Sequence, residues 1–304
     1  MAGMADTSST AIDLSRLPAP AIVEQLSFEA ILAVMLADLQ ARLGPDLFDA
    51  LVESDPAMKL LEVCAYRELL IRQRVNDAAR GVMLAYAAGA DLDQLAALVG
   101  VARLTITPAN EETGAAAVME SDEALRQRVI LAPESFSVAG PGDAYVYHAL
   151  SADAGVLAAS CTSPEPGEIV VTILARDGDG EAGPELIEAV EAVVNSRPVR
   201  PQSDLVSVQS AEIVTFAVAA ALTLYHGPDT SVVVDAAEAS LTAYLNRSRK
   251  LGRDITVSGL TAALQVEGVH RVALAAPAAD VVVTQLQAAF CTGADITVAG
   301  YTDD

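Results

Sequence analysis

The chain has 304 residues, enough for two to three domains of ordinary size. Apolar residues make up 52% and aromatics 4%, with no Trp, so the interior has to be built from Ala, Val and Leu. A net charge of −23 excludes the basic footprint that a nucleic-acid binder needs and fits a soluble protein with a repulsive surface.

Residues 1–26 read as an extended arm, rich in Ser, Thr and Ala and ending in Leu17-Pro18-Ala19-Pro20 before the first cap. They lack the basic start and apolar core of a signal peptide. Ser27 can cap a helix running to about Leu43, stopped by Gly44-Pro45, and a short helix is expected around Leu47 to Val52. Asp55 is a good N-cap and Pro56 suits the first helical position, where a missing N–H costs nothing. Apolar residues then recur at helical spacing: Val63, Tyr66, Leu70, Val75, Ala78, Val82 and Tyr86. The pattern predicts one helix over 56–88, about 50 Å long at roughly 1.5 Å per residue, with Gly89 as its left-handed stop. Asp91, with Gln94 three residues on, then reads as a capping box for a second helix ended by Gly100. A long amphipathic helix with a tight return is a bundle element in need of partners.

Charge is unevenly spread. Residues 1–110 carry 8 Lys+Arg and 14 Asp+Glu, and residues 111–304 carry 10 and 27. The long helix reverses the balance, with Lys59, Arg67, Arg72, Arg74 and Arg80 against Glu62, Glu68 and Asp77. Two readings stand side by side. Glu68, Arg72, Asn76 and Arg80 fall at i, i+4 intervals, as on a solvated face. The same arginines also form a basic stripe suited to an acidic partner.

Residues 105–120 change character and read as a linker. Ser121-Asp122 starts a helix through Val129, Gly140-Pro141-Gly142 marks a loop, and Asp143 starts a helix to about Ala152. Strands follow at Val156 to Thr162 and Glu168 to Ala175, then a helix from Pro184 to Asn195. Arg197-Pro198-Val199-Arg200-Pro201 reads as a rigid extended connection, or as an edge where Arg197 and Arg200 meet a neighbouring subunit. Leu205 to Gln209 and Ile213 to Leu224 are strands. The run Ile213 to Tyr225 is too short and interrupted for a membrane helix, which needs about 20 residues. Helices are expected from Thr230 to Ser248 and from Thr256 to Gln265, the latter capped by Ser258 or a neighbour. Strands are expected at Val269 to Ala275 and Val281 to Leu286, with Ile296 to Val298 closing the sheet. The fold class is therefore α+β: an N-terminal helical bundle segment followed by two small α+β domains with helices packed on sheets. The expected divisions are the arm at 1–26, the helical domain at 27–104, the linker at 105–120, and α+β domains at 121–210 and 211–304.

Little in the chain points to catalysis or cofactors. Asp177, Asp179, Glu181 and Glu188 fit parts of a calcium-loop template, but its glycine is replaced by Ala182 and a strand precedes it. Acids at a strand-to-helix turn, favouring the helix N-terminus, explain the cluster better. His148, His226 and His270 sit in no ligand or catalytic spacing. Cys64, Cys161 and Cys291 are far apart and form no CxxC pair, so reduced and mostly buried thiols are expected. No nucleophile elbow, phosphate loop or dinucleotide fingerprint is present. The expectation is no catalytic, cofactor or metal site.

The run AYRELLIRQRVNDAARGVMLAYAAGADLDQLAALVGVARL, residues 65–104, closely resembles the baseplate assembly protein J family of contractile-tailed phages. The resemblance continues through Arg197-Pro198-Val199 and the strands from Leu205 to Leu224. It recurs in LGRDITVSGLTAALQVEGVHRVAL, residues 251–274, in Ala278 to Asp280, and in QAAFCTGADITVAG, residues 287–300. It covers the chain in order from about residue 12, and is weakest over 1–11 and 105–118. The resemblance implies a wedge subunit of the baseplate, in phages or tail-like bacteriocins, forming the inner ring around the tail hub. It implies a helical N-terminal part that packs with a second copy and with a smaller wedge protein, and a C-terminal part that pairs copies. Sheath-initiator-type and hub proteins are further implied partners, without nucleic acid or membrane insertion. Ring rearrangement would trigger sheath contraction, and assembly would take place in the bacterial host cytoplasm. The expected partner interface comprises Val63, Tyr66, Arg67, Leu70, Arg72, Arg74, Val75, Arg80, Val82 and Tyr86, with Arg197 and Arg200. The rival readings are a tail-associated hydrolase, which would show a catalytic His/Asp/Glu cluster, and a receptor-binding tail component, which would favour β-repeats.

Overall fold

The computed structural model describes residues 14, 17–18, 20, 22–48, 52–136, 142–227 and 229–303. Most of the expected arm, the end of the expected helix at Leu47 to Val52, and Gly140-Pro141 lie outside the described residues. The described residues up to Arg103, with Ser121–Val129, form one compact unit; Leu104–Glu120 and the residues from Ile130 onward form a second. The fold class is α+β, as the sequence predicts.

In the first unit, helix α1 (Phe28–Leu43) starts where the Ser27 hydroxyl accepts the Ala30 amide at 3.2 Å. It ends at Gly44, whose φ of 79° few other residues tolerate. A single helical turn, α2 (Pro45–Phe48), follows. Helix α3 (Pro56–Gly81) begins as expected, the Asp55 carboxylate accepting the Ala57 amide at 2.8 Å. It stops at Gly81, not at residue 88, so it spans about 39 Å at roughly 1.5 Å per residue. Turns occupy the residues after it, and Gly89 opens helix α4 (Gly89–Ala97) instead of closing α3. Asp91 sits in the first turn of α4 and does not cap it, and no local side chain does. Gly81 eases the tight return: a Cβ there would meet the Asp91 carboxylate at 2.8 Å, and the Asp91 side chain would have to swing aside.

Helix α5 (Asp122–Leu131) is capped by Ser121, whose hydroxyl accepts the Ala124 amide at 3.3 Å, and the division between the units falls within its last turn.

The second unit opens with a small pairing of β1 (Thr105–Thr107) and β2 (Val118–Met119) in the segment expected as a linker. A 3-10 turn (Ala132–Phe136) and helix α6 (Gly142–Ala152) lead into β3 (Val156–Thr162), antiparallel to β4 (Glu168–Ala175). Helix α7 (Pro184–Val194) then crosses to β5 (Leu205–Ser210), which runs parallel to β4, giving the order β3-β4-β5. Residues 197–199 form a turn instead of an extended link: the Val199 and Arg200 amides both donate to Ser196 O. Tyr145, Val171, Ile173, Val190, Val194 and Val206 fill the core beneath α6 and α7.

One buried residue, Ala211, separates β5 from β6 (Glu212–Tyr225). Helices α8 (Thr230–Ser248) and α9 (Val257–Leu264) follow, capped by Asp229 and Thr256. Strands β7 (Val269–Ala276) and β8 (Gln287–Thr302) complete a sheet of order β7-β6-β8. Strand β6 alternates over its second half, with Val218, Ala220, Leu222 and Leu224 buried against Val233, Leu241, Leu260 and Leu264. The closing strand is far longer than the expected Ile296 to Val298. Val281 to Leu286 is no strand: it makes one bridge, Val281 to Ile255, and the Asp254 carboxylate takes the Val283 amide at 2.9 Å.

The two sheets of this unit are joined without a gap. The Ala211 amide donates to Ile173 O, the Glu212 amide to Leu286 O, and the Ser160 hydroxyl to Gln285 O at 2.6 Å. Leu174, Ala211 and Ala288 are buried where they meet.

Candidate functional site

Helix α3 has two distinct sides. Its inner side packs on α1, with Ala65 fully buried. Asn76 is also on that side, only 5% exposed, and does not belong to the solvated i, i+4 face that the spacing suggested. Its carboxamide clamps the Glu24 backbone from both ends: Glu24 N donates to Oδ1 at 3.0 Å, and Nδ2 donates to Glu24 O at 2.8 Å. Arg72 reinforces the strap, bonding Glu68 at 2.7 Å and Glu24 at 3.0 Å. Those carboxylates, Glu68 first, raise its pKa above the ordinary arginine value. Tyr86 lies beyond the end of α3 and its hydroxyl donates to Leu17 O at 2.8 Å, so it holds the preceding segment and is not part of the helix's apolar stripe.

The other side of α3 is open. Leu60, Val63, Tyr66, Leu70, Ile71, Val75 and Val82 are each between 40% and 71% exposed. At about 100° per residue they fall in two stripes. Val63, Tyr66 and Leu70 form one; Leu60, Cys64, Ile71, Val75 and Val82 form the other. The sequence reading merged the stripes and passed over Leu60, Cys64 and Ile71, although their spacing is equally helical. Exposed large side chains normally occur singly on a monomer's surface, and a contiguous set marks a contact site.

The arginines expected on this helix divide. Arg72 is engaged by Glu68 and Glu24, and Arg80 lies 4.0 Å from Asp77. Arg67 and Arg74 are exposed and make no ion pair among the described residues. They project into the roughly 60° gap between the apolar stripes.

The return from α3 to α4 is held by charges that the local sequence does not announce. The Asp122 carboxylate accepts the Gly89 amide at 3.1 and 3.2 Å, supplying from 33 residues away the cap that α4 lacks. It also takes Arg103 Nη2 at 2.7 Å, while Arg103 Nε bonds Asp93 at 2.8 Å. Arg103 and the Gly89 amide hold the Asp122 carboxyl below its usual pKa. Arg126 donates to Leu84 O and Ala87 O at 2.7 and 2.8 Å, and Arg128 to Ala102 O. The signal available in sequence was the density of arginine beside apolar residues, which gives no pairing.

Arg197 and Arg200 belong to the second unit. Arg197 is exposed; Arg200 is half-buried and donates to Asp204 O at 3.1 Å, while the Asp204 carboxylate accepts the Tyr145 hydroxyl at 2.9 Å. Nearby, burial pushes the Cys161 thiol up to about 11. A cavity of about 150 Å³ is lined by Phe216, Leu245, Arg249 and Phe290 among others, with no carboxylate or imidazole. The Arg249 guanidinium lies over the Phe290 ring and donates to Gly178 O at 2.7 Å. Among the described residues, no group of three or more His, Cys, Asp or Glu side chains could hold a metal. No described helix is long and apolar enough to cross a membrane.

Family comparisons match this layout segment by segment. The Baseplate J-like N-terminal domain matches residues 53–110, the central domain residues 137–210 and the C-terminal domain residues 216–297. Together these matches define the class as structural proteins of the phage tail baseplate, not enzymes. Baseplate protein J of Escherichia phage P2 is 48% identical over 296 residues, covering 95% of this chain and 98% of that protein. The chain belongs to the baseplate J-like family.

Proposed function

We propose that this chain is a wedge subunit of a contractile tail, placed in the inner ring around the hub. The observation that carries this reading is the open side of α3 and its C-cap residue Val82, where seven large apolar side chains remain 40% to 71% exposed. Burying one such side chain in full stabilises by about 1.5–3 kcal/mol, so together they can hold subunits in place. Two apolar stripes beside the α1 contact fit a bundle in which α3 meets two further helices. One would come from a second copy of the chain and one from a smaller wedge protein. In this reading residues 27–104 form the inter-subunit helical part and residues 211–304 pair copies into a ring. Sheath-initiator and hub proteins adjoin the ring, and assembly occurs in the host cytoplasm. Repeated contacts of modest strength add through multivalency, and a bistable interface can switch as a unit to release the sheath.

Cys64 lies in the second stripe and is exposed in the single chain, and Cys161 and Cys291 are half-buried, so none of the three thiols is buried as expected. A bulky maleimide is expected to label it in the isolated chain and to be excluded once the neighbouring baseplate proteins are co-expressed and assembled. Equal labelling in free chain and assembled particle would overturn the bundle.

A further inference from the structure

Helix α8 packs on its sheet through Val233, Ala237 and Leu241, all buried. Its opposite side is bare. At about 100° per residue, Val232, Ala236, Ala239, Thr242 and Ala243 share that side. All five are exposed, Val232 at 63%. The solvent side of a helix normally carries charged residues along its length. Here the middle is small and uncharged, and the charges are sorted to the two ends.

Asp235 and Glu238 stand toward the start of α8, and Arg247, Lys250 and Arg253 stand from its last turn onward. No base falls between residues 227 and 246, and no acid between 239 and 253. These five charges are exposed and make no ion pair among the described residues. They cannot satisfy one another along one helix: Glu238 and Arg247 are nine residues apart, about 13 Å along the axis and beyond i, i+4 reach. The helix dipole does not account for the acids, because it acts within the first turn and both lie past it.

We propose that this side of α8 is a contact between two copies of the chain, related by a two-fold axis that sets the two α8 helices antiparallel. With the axis near Thr242, the Asp235–Glu238 end of one copy comes level with the Arg247–Lys250 end of the other, and the pairing occurs twice, as two-fold symmetry requires. A parallel arrangement would set acid on acid and base on base. The small side chains at the centre let the helices approach closely. Helix α7 offers no such contact, since its exposed Glu185, Glu188 and Glu191 would repel a copy. The net charge of −23 does not forbid pairing, because charges beyond about 8 Å are screened at physiological salt and the local pattern decides. The proposal rests on the reading that residues 211–304 pair copies, and deepens it by naming the face.

The experiment uses assembled particles carrying Thr242→Cys, treated with a short bis-maleimide. Mass spectrometry identifies the joined peptides and keeps any Cys64 links separate. The expected result is a link joining position 242 to itself, which two copies alone can make. Val232→Cys, ten residues from the axis, is expected to give no such link, since antiparallel helices hold its two copies about 30 Å apart. Added to Thr242→Cys, D235K/E238K is expected to lower the link yield at least about tenfold, and D235K/E238K/R247E/K250E to restore it to within about threefold by reversing both ends. No self-link at position 242, a self-link at position 232, or no restoration by the fourfold reversal overturns the proposal. Particles mixed from light and heavy chains, treated with a dihydrazide that joins carboxylates, report any contact between residues 211–304 of two copies. Such links without a self-link at 242 overturn the α8 contact and leave the pairing of copies standing; the absence of both overturns the pairing as well.

Discussion

Replacing Asp122 with Ala tests the long-range cap. The change removes one carboxylate that serves two donors, the Gly89 amide at 3.1 Å and Arg103 Nη2 at 2.7 Å. The pair is neither exposed nor sealed: the Arg103 side chain is 12% exposed and Asp122 36%. A surface pair is worth about 0–1 kcal/mol and breaking a buried one costs about 3–5, so a loss of about 2 kcal/mol is expected. Arg103 keeps Asp93, which stops the cost from reaching the upper limit. Hydrogen exchange read by mass spectrometry is the assay. Peptides covering 89–97 are expected to exchange roughly 30-fold faster, at tenfold per 1.4 kcal/mol. Peptides from 230–248 in the second unit serve as the internal control and stay unchanged. The pH dependence follows from the lowered carboxyl pKa. A depressed folded-state value stabilises above the unfolded value of about 3.9, and that contribution disappears as pH falls through the folded value. Parent and variant therefore differ at neutral pH and converge in acid. Unchanged exchange at pH 7, or a difference that persists fully at low pH, would refute the cap.

Three further outcomes are expected. Ile71→Asp and Val75→Asp leave the melting of the isolated chain within about 0.5 kcal/mol, because both side chains are solvent-facing, yet abolish co-purification with partner proteins. Leu222→Ala, at a fully buried position on the central strand β6, costs about 2–5 kcal/mol by urea denaturation, the range for a buried Leu truncation. At pH 8, Cys64 alkylates readily while Cys161, half-buried and with its thiol pushed up to about 11, reacts far more slowly; equal rates would contradict that shift.

Elements whose stabilising contacts are local were legible in the sequence. Strand β6 showed as an apolar run too short and interrupted for a membrane helix, and α1 and α3 showed their caps at Ser27 and Asp55. Strand β8 was hidden because Gly293, Asp295 and small residues look like a turn, while its pairing with β6 supplies the strand from outside the segment. Val281 to Leu286 reads as a strand by composition, but Asp254 takes one of its amides instead of a ladder neighbour. The end of α3 was misplaced for a related reason: Arg126 binds Ala87 O and also Leu84 O, a carbonyl that a helix continued to residue 88 would have used itself. At the candidate interface the apolar stripe was visible, because it depends only on spacing. Which arginines are free was not visible, since it depends on Glu24 folding back onto Arg72.

The single residue between β5 and β6 has a mechanical consequence. Ala211 is buried, its amide is held by Ile173 O, and its neighbour Glu212 is held by Leu286 O. The strand leaves one sheet and enters the next with no slack. A displacement imposed at the α7 side of the second unit reaches β6 as a tug along taut backbone, which resists stretching far more than a flexible tether. A few glycines inserted at residue 211 are expected to put slack into that link and to speed hydrogen exchange at the neighbouring amides.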